Sequence, residues 1–323
     1  MRFPREWAEV MKCLVTGGSG FIGTVLVDAL VRDGHDVRIY DKRPSAAFER
    51  LAIQGDVRDL DGLTDAMREV EAVFHLAAEH RDDVRPTSLY YEVNVDGARN
   101  LVTAAETCGA NRIVFTSTVA VYGLDRGETD ETTTAAPFND YGRSKLESEQ
   151  VFQEWAARDS KRTLAVVRPT VVFGENNRGN VFTLIDQVRR RRFIMVGDGS
   201  NRKSMCYVGN LVPYLCRSLV VEGVSVTNYV DKPDLTAGEL VALIRKELEV
   251  TGRLPRLPLW VGMAGGTAFD ALAIATGRRY PISRVRVKKF CANTQVTMRE
   301  VPSDFVAPFT LAEGIGRMIE SLG

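Results

Sequence analysis

"KCLVTGGSGFIGTVLVDAL" (residues 12–30) runs from β-branched and other apolar residues into a glycine-rich bend, and then into a helical pattern. Gly17, Gly20 and Gly23 stand between the expected strand and the expected helix. In this setting one glycine permits a tight turn, one lets the backbone approach a pyrophosphate, and one lets helix and strand pack closely. The first N–H groups of the helix then face phosphate oxygens. The stretch therefore predicts a strand–turn–helix unit that binds a dinucleotide.

An acid at the end of the next strand strengthens this interpretation. "VRIYD" ends at Asp41, 18 residues beyond Gly23, which is the place of the ribose-binding acid in such units. A carboxylate there accepts hydrogen bonds from ribose hydroxyls and repels a 2′-phosphate, which favours NAD. Lys42 and Arg43 follow at once and offer charges to such a phosphate, so NADP remains the alternative.

The first half of the chain alternates short apolar runs with helical patterns. Strands are expected at 13–16, 37–40, 72–76, 113–116 and 164–168, and helices at 22–32, 62–70, 93–108 and 142–157. This alternation predicts an α/β fold, a Rossmann-type doubly wound parallel sheet. We expect an NAD-binding domain over 11–173, to which a later strand near 224–230 returns. Residues 174–323 should form a smaller, mostly helical substrate lobe interleaved with it, and residues 1–10 a short extension.

Composition excludes several classes of protein. Of 323 residues 45% are hydrophobic, and 42 basic side chains balance 42 acidic ones. The zero net charge removes the usual electrostatic argument for a nucleic-acid or anionic-membrane partner. Five scattered cysteines and three histidines predict no metal site and no disulfide framework, and the free thiols indicate a reducing compartment. The first ten residues lack the apolar segment of a signal peptide. Both observations favour the cytoplasm. The apolar run 257–276 contains Asp270 and three glycines, so we expect a buried or lobe-forming helix and no membrane span.

A possible catalytic group lies in "YGRSK". Tyr141 and Lys145 are four residues apart at the start of a predicted helix and share one face. The strand upstream ends in hydroxyl residues, among them Thr118, at the edge where ligands of open α/β sheets bind. A phenol with a usual pKa of about 10 is a poor base at neutral pH. A lysine ammonium and an oxidised nicotinamide favour the phenolate, whereas a surface Tyr–Lys pair is the alternative.

Together these residues resemble the extended short-chain dehydrogenase/reductase superfamily, in its NAD-dependent epimerase/dehydratase group. The resemblance rests on TGGSGFIG (16–23), GDVRD (55–59), HLAA (75–78), NVDGARNL (94–101), TSTVAVYG (116–123), YGRSK (141–145), RPTVVFG (168–174) and GDGSNRKSMCYVGN (197–210). It implies a catalytic trio of Thr118, Tyr141 and Lys145, with Asn94 supporting the active-site helix. It assigns these residues to the cofactor: Gly17, Gly20, Phe21, Ile22, Gly23, Asp41, Lys42, Asp56, Val57, Leu76, Ala77, Ala78, Tyr141 and Lys145.

The neighbours of Thr118 narrow the reaction that the resemblance implies. Sugar-nucleotide dehydratases of the family carry two acids after this residue, where this chain has Val119 and Ala120. The 3,5-epimerase/reductases carry a cysteine at the second of these positions. Neither apolar side chain exchanges a proton, so simple oxidation and reduction at one carbon remains.

The substrate side departs from the family pattern. Val171 stands where many nucleotide-sugar enzymes have Asn, and Lys203 stands where many have Arg. By resemblance Asn180, Val181 and Lys203 are the candidate substrate contacts, with ordinary loop solvation as the alternative. The run Arg189–Arg192 is expected to be a solvated helix end, although it could attract a diphosphate.

These observations favour an NAD-dependent nucleotide-sugar epimerase that oxidises a sugar hydroxyl carbon transiently, at C4, and serves polysaccharide biosynthesis. The first alternative is a nucleotide 4-keto-sugar reductase with the same residues. A 3β-hydroxysteroid-dehydrogenase-like oxidoreductase is the second, with the segment 257–276 facing a lipid. A noncatalytic NAD sensor is the third. Relatives pair the helices near 93–108 and 142–157 across a two-fold axis, so a homodimer is expected.

Overall fold

A computed structural model describes residues 10–81, 84–124, 126–277 and 284–322. The extension expected at 1–10 lies outside these ranges except for Val10. The strands are β1 Lys12–Thr16, β2 Asp36–Asp41, β3 Ala52–Gln54, β4 Ala72–His75, β5 Arg112–Thr116, β6 Glu128–Thr129, β7 Thr163–Pro169, β8 Val171–Phe173, β9 Met195–Val196, β10 Arg202–Tyr207, β11 Val224–Tyr229, β12 Asp231–Thr236, β13 Arg256–Leu257 and β14 Gln295–Val296. The helices are α1 Phe21–Arg32, α2 Leu60–Ala66, α3 Ser88–Tyr91, α4 Gly97–Cys108, α5 Asp140–Ala157, α6 Asn180–Arg189, α7 Val208–Arg217, α8 Ala237–Glu247, α9 Leu259–Thr276, α10 Arg284–Cys291 and α11 Leu311–Glu320.

A seven-stranded parallel sheet forms the centre of the molecule. Its order is β11-β7-β5-β4-β1-β2-β3, so the chain winds outward in both directions from β1. The predicted Rossmann-type sheet is confirmed, and the late strand expected near 224–230 pairs in parallel with β7. The strand order reverses between β1 and β4, and this is where doubly wound sheets bind their ligands.

The sheet is covered on both faces, and β1 shows why its residues are apolar throughout. Successive side chains of a strand point to opposite faces. Val15 accordingly joins the apolar cluster that contains α1 and α7, whereas Leu14 joins the cluster that contains α2, α4 and α5. Both side chains are fully buried. Helices on each face leave the carboxyl edge of the sheet open between them, and the site lies at that edge.

Two predicted helices have different bounds in the structure. The helix expected at 62–70 is α2, which ends at Ala66, and Glu69 beyond it has a positive φ of 63°. The helix expected at 93–108 begins earlier, as α3 and a π-helical turn Glu92–Asp96 that leads into α4. A π turn places one extra residue in the helix and often lies at a functional site. Here it carries Asn94, which was expected to support the active-site helix.

The C-terminal half is helical, as predicted, and strands accompany its helices. It contains a three-stranded sheet of order β12-β10-β8, with β10 and β12 antiparallel and β10 and β8 parallel. The sequence of β12, DKPDLT, is polar and contains Pro233, which is compatible only with an edge strand. Because its helices α6, α7, α8 and α11 share one continuous apolar cluster with α1, this half is built onto the sheet's core. The domain division at 173/174 stays a prediction.

The apolar run 257–276 forms β13 and α9, which packs against α10. Its first residues are not buried, since Trp260 is 74% exposed. In the described residues, no helix has both the length and the apolar character needed to cross a membrane.

Candidate active site

The glycine bend after β1 has the geometry that a dinucleotide requires. Gly17 has a φ of +74°, and a Cβ there would lie 2.6 Å from the Ala77 nitrogen. A Cβ on Gly23 would lie 2.4 Å from the Gly17 carbonyl oxygen, so α1 packs directly on the turn. Gly20 caps α1 without a side-chain hydrogen bond. The first N–H groups of α1 therefore remain available for phosphate oxygens.

Asp41 ends β2 next to this turn and is nearly buried. Its carboxylate accepts hydrogen bonds from the backbone N–H of Ser19 (3.0 Å) and from that of Arg43 (2.9 Å). The first bond ties the strand end to the glycine bend. Asp41, Lys42 and Arg43 all line the adjoining cavity, so both the acid that favours NAD and the two cations that would suit a phosphate face it.

One cavity of about 990 Å³ joins most of the predicted site residues. It follows the carboxyl edge of the sheet from the end of β2, past β1 and β4, to the start of α6. A cavity at the upper end of the usual ligand-site range has room for a dinucleotide and a second molecule. The predicted residues that line it are Gly17, Gly20, Phe21, Ile22, Gly23, Asp41, Lys42, Asp56, Val57, Leu76, Ala77, Ala78, Thr118, Tyr141, Lys145 and Asn180.

Two predicted substrate contacts lie elsewhere. Val181 is buried in the apolar cluster beneath α6, and the Lys203 ammonium donates a 2.5 Å hydrogen bond to the Ala292 carbonyl. The described residues that line the cavity include neither of them. Val181 follows Asn180, which lines the cavity, but successive residues at the start of a helix point to different sides.

The trio of Thr118, Tyr141 and Lys145 is assembled by the packing of α5 against the turn after β5. A Cβ on Gly142 would lie 2.7 Å from the Ala120 carbonyl oxygen, so only glycine permits this approach. Asn139 caps α5 through a 2.9 Å bond from the Gly142 N–H. A hydrogen bond joins the side chains of Tyr141 and Thr118, and Lys145 lies one helical turn further on with 2% exposure.

Burial favours the uncharged forms of Tyr141 and Lys145. Burial raises the pKa of Tyr141 to about 12, although the hydrogen bond from Thr118 acts in the opposite direction. Burial lowers the pKa of Lys145 to about 7, against the attraction of Glu149. Positive charge close to the phenol would lower its pKa toward neutrality.

Asn94 connects three parts of the site from within the π-helical turn. Its side-chain oxygen accepts the Glu79 N–H (2.8 Å), and its amide donates to the Ser144 hydroxyl (2.8 Å) and to the Glu79 carbonyl (3.1 Å). Ser144 lies between Tyr141 and Lys145 on α5. Asn94 thus holds α5 against the loop that follows β4, in agreement with the supporting role expected of it.

A buried polar cluster behind Lys145 was not foreseen from the sequence. Arg168 on β7 donates to both carboxylate oxygens of Glu149, and Ser117 hydrogen-bonds the same carboxylate. Lys145 lies 4.0 Å from the centre of the Phe115 ring. The spacing of Lys145 and Glu149, one helical turn apart on the face of Tyr141, was the available signal.

The end of β7 also contributes to the cavity, and the sequence did not single out Pro169 and Thr170 there. Val171 and the loop before α6, with Glu175 and Arg178, line the same cavity. The strand-end rule that pointed to Thr118 applies equally to the end of β7.

The residues present fit a nicotinamide dinucleotide. The phosphate end is the turn at Gly17 and Gly23, which has no room for a Cβ, together with the start of α1, which no side chain caps. The ribose end is the acid at Asp41. The Tyr141–Lys145 face lies at the other end of the same cavity.

Comparison with known proteins agrees with this geometry. A family model described as the NAD dependent epimerase/dehydratase family matches residues 13–226. The chain is 47% identical over 311 residues to N-acetyl-alpha-D-glucosaminyl-diphospho-ditrans,octacis-undecaprenol 4-epimerase of Escherichia coli O157:H7, with 95% of this chain and 94% of that protein covered. It is 33% identical over 220 residues to 3 beta-hydroxysteroid dehydrogenase/Delta 5-->4-isomerase of Mycobacterium tuberculosis, with 63% and 59% covered.

A solved structure with the same fold is MoeE5 in complex with UDP-glucuronic acid and NAD. It superposes with a TM-score of 0.76 at 27% identity and covers 96% of this chain and 98% of that chain. The predicted enzyme class and the predicted cofactor, NAD, are confirmed. This chain belongs to the NAD-dependent epimerase/dehydratase family of extended short-chain dehydrogenases/reductases.

Proposed function

We propose that this enzyme is a 4-epimerase of a sugar carried on a diphosphate, and that its substrate is N-acetylglucosaminyl diphospho-polyprenol. The observation that carries the proposal is the 47% identity, over nearly the full length of both chains, to the Escherichia coli epimerase named for that reaction. The steroid-active relative matches only 63% of this chain at 33% identity, so its activity is less well supported.

A nucleotide sugar is the second candidate substrate. MoeE5 was solved with UDP-glucose and with UDP-glucuronic acid at 26% and 27% identity to this chain. Within the cavity, however, Val171 is 42% exposed at the position where nucleotide-sugar relatives carry an amide. An exposed apolar side chain on the substrate wall suits a polyprenyl carrier better than a nucleotide.

In the proposed reaction Tyr141 accepts the proton of the sugar 4-hydroxyl and later returns it. Thr118, hydrogen-bonded to Tyr141, holds the sugar oxygen at the phenol. Lys145 contributes positive charge below its pKa of about 7. Bound NAD supplies a reversible acceptor for the hydrogen on C4. Between the two halves of the cycle the 4-keto sugar turns its other face to the ring, for which a cavity of about 990 Å³ leaves room.

The test supplies purified protein with N-acetylglucosaminyl diphospho-polyprenol, or with UDP-N-acetylglucosamine, without any added cofactor. The released sugars are separated by chromatography after mild acid hydrolysis. The proposal expects N-acetylgalactosamine from the polyprenyl substrate at a rate at least tenfold above the UDP-sugar. No conversion of either sugar, together with reduction of the matching 4-keto sugar at the expense of one NADH per molecule, would instead establish a one-way ketoreductase. Faster turnover of the UDP-sugar would establish the nucleotide carrier.

We further propose that the enzyme is a cytoplasmic homodimer that supplies a sugar for polysaccharide biosynthesis. Five unpaired cysteine thiols in the described chain support a reducing compartment. The dimer would pair α4 and α5, which pack side by side on one face of the sheet.

A further inference from the structure

A group of exposed apolar side chains lies at the outer end of the substrate half. Trp260 is 74% exposed, Leu259 48%, Ile194 44% and Leu257 37%. We call these four residues the apolar patch. Large apolar side chains that cluster on a surface mark an interaction site, whereas isolated ones do not.

The pairing of two segments that are distant in sequence brings the patch residues to one region of the surface. The Met195 N–H donates to the Pro255 carbonyl (3.0 Å), and the Gly197 N–H donates to the Leu257 carbonyl (2.9 Å). This pairing of β9 with β13 sets Leu257 opposite Val196. Leu259 and Trp260 follow directly as the first residues of α9, and Gly262 of that helix packs on Val196.

Basic side chains lie on the segments that carry the patch. Arg190, Arg191 and Arg192 are exposed two to four residues before Ile194, and Arg253 and Arg256 are exposed on the segment that carries Leu257. Arg284 and Lys288 are exposed on α10, which packs against α9. Acidic groups also lie here: Asp186 binds Arg190, Asp198 precedes the β10 strand, and Asp270 lies on α9. The basic residues outnumber these acids, so the zero net charge of the whole chain conceals a locally positive surface.

A tryptophan and leucines beside several arginines are the composition of a surface that lies in a lipid interface. The aromatic and aliphatic side chains enter the boundary between headgroups and acyl chains, and the arginines meet anionic headgroups. Each arginine near an anionic surface strengthens the binding about fivefold.

The patch is also connected to the active site through α6. Asn180 at the start of α6 lines the cavity, and Arg189 at its end leads into the arginine run. Ten residues of helix rise about 15 Å. A substrate whose sugar lies in the cavity can therefore extend its carrier along α6 toward the patch.

We propose that the apolar patch and its surrounding arginines dock this enzyme on an anionic phospholipid surface, so that the cavity receives a substrate whose tail stays in the membrane. The identity of that substrate rests on the proposed function, whereas the docking itself rests on the exposed residues.

Docking is measured with the full-length protein by co-sedimentation with vesicles of phosphatidylcholine alone or mixed 3:1 with phosphatidylglycerol. We expect binding to the mixed vesicles, weaker binding to phosphatidylcholine, and loss of binding at high salt because the Debye length shortens. Trp260→Ala should lower the partition coefficient about tenfold, and Arg191→Glu with Arg192→Glu should lower it about tenfold or more.

The matched controls are Val306→Ser, an apolar residue that is 84% exposed outside the patch, and Lys161→Glu, an exposed cation on the turn after α5. Both should bind vesicles like the unchanged protein. Equal binding to the two vesicle types, or equal effects of the patch and control variants, would overturn the proposal.

A second measurement separates this proposal from the proposed function. With a short-chain, water-soluble polyprenyl diphospho-sugar, Trp260→Ala should keep the unchanged kcat, whereas with vesicle-embedded substrate its rate should fall about tenfold. If neither substrate is epimerised but vesicle binding depends on Trp260, docking stands and the proposed activity fails. If both substrates are epimerised and Trp260→Ala loses nothing on vesicles, the docking proposal is wrong.

Discussion

At the scale of single residues, Tyr141 is the proposed base, and its buried position favours the protonated phenol. Its pKa is raised to about 12 by burial, whereas that of Lys145 falls to about 7 for the same reason. A positive charge placed near the phenol, such as that of an oxidised nicotinamide, would lower the pKa of Tyr141 toward neutrality.

Replacing Tyr141 by phenylalanine removes the proton acceptor and leaves the ring. We expect kcat to fall by about 10²–10⁴, while NAD still binds with an affinity within a few-fold of the unchanged protein. Rates and calorimetric NAD titration measure the two quantities. Tyr91→Phe is the matched control, since Tyr91 donates its hydroxyl to Asp140 near the start of α5. If Tyr141→Phe and Tyr91→Phe lose equally little activity, the trio is not catalytic.

His75 makes the folded protein sensitive to acid. Burial, and then the charge of Lys145, lower its pKa from the usual 6.5 to about 3. The unfolded chain binds a proton below pH 6.5 that the folded chain refuses down to about pH 3, so stability falls as the pH falls through this window. The slope is about 1.4 kcal/mol per pH unit for one proton.

Urea unfolding at pH 4.5 to 7.5 tests this account of His75. Between pH 4.5 and 6 the unfolding free energy of His75→Asn should change with pH less steeply than that of the unchanged protein, by the slope of about one proton. Above pH 7 the unfolding free energies of the two proteins should follow parallel curves. Equal slopes in the acid range would show that the acid sensitivity originates elsewhere. The Thr16 hydroxyl lies 2.7 Å from Nδ1 of His75. Because this hydroxyl does not titrate between pH 4.5 and 7.5, it adds no proton uptake of its own to the comparison.

At the scale of elements, the first turn of α1 depends on Gly23. Gly23→Ala would place a methyl group 2.4 Å from the Gly17 carbonyl oxygen, which forces the helix away from the phosphate-binding turn. We expect a loss of about 1–3 kcal/mol in stability and NAD affinity roughly tenfold weaker, as measured by thermal unfolding with and without NAD.

Gly265→Ala is the matched control for this helix position, because Gly265 also lies within a helix and its added Cβ meets nothing within 4 Å. It should be neutral or stabilise the protein by about 0.5–1 kcal/mol. Equal effects of the two substitutions would mean that the close packing at Gly23 is unimportant.

The contact of α5 with β7 depends on the buried pair of Glu149 and Arg168, which are 1% and 8% exposed. Arg168→Met leaves the carboxylate without its partner and should cost about 3–5 kcal/mol in urea unfolding. Arg99→Met removes an exposed partner of Asp96 and should cost about 0–1 kcal/mol. A loss at Arg168 no greater than that at Arg99 would contradict the structural role of the pair.

At the scale of the whole molecule, the proposed homodimer can be tested through its mass in solution. A homodimer has twice the chain mass of 35.8 kDa, and light scattering after size exclusion should report that value. Glu147→Arg on the exposed face of α5 should shift the protein to a single chain if α5 lies at the interface. Glu222→Arg, exposed beside β11, should leave the mass unchanged. A monomeric mass for the unchanged protein would remove the proposed dimer.

Most of the sheet and the cofactor half could be predicted, because those residues obey local rules. Glycines at the bend, an acid at the end of β2 and alternating apolar runs have the same meaning wherever they occur in the chain. The substrate half was predicted less well. Short strands such as β8 and β12 carry little periodic signal, and contacts such as Lys203 with Ala292 join residues far apart in sequence.

The sequence by itself determined the doubly wound sheet, the dinucleotide turn and the shared face of Tyr141 and Lys145, since spacing along a strand or helix fixes which side chains share a face. The approach of Thr118 to Tyr141 depends on the packing of α5 against the turn after β5. Only the tertiary structure decided which groups are buried together. The low pKa of Lys145, the pair of Glu149 with Arg168, and the joining of Ile194 to Leu257 into one exposed patch all arise between segments that are distant in the chain. Burial and the pairing of distant segments are properties of packing, and local sequence patterns do not specify them.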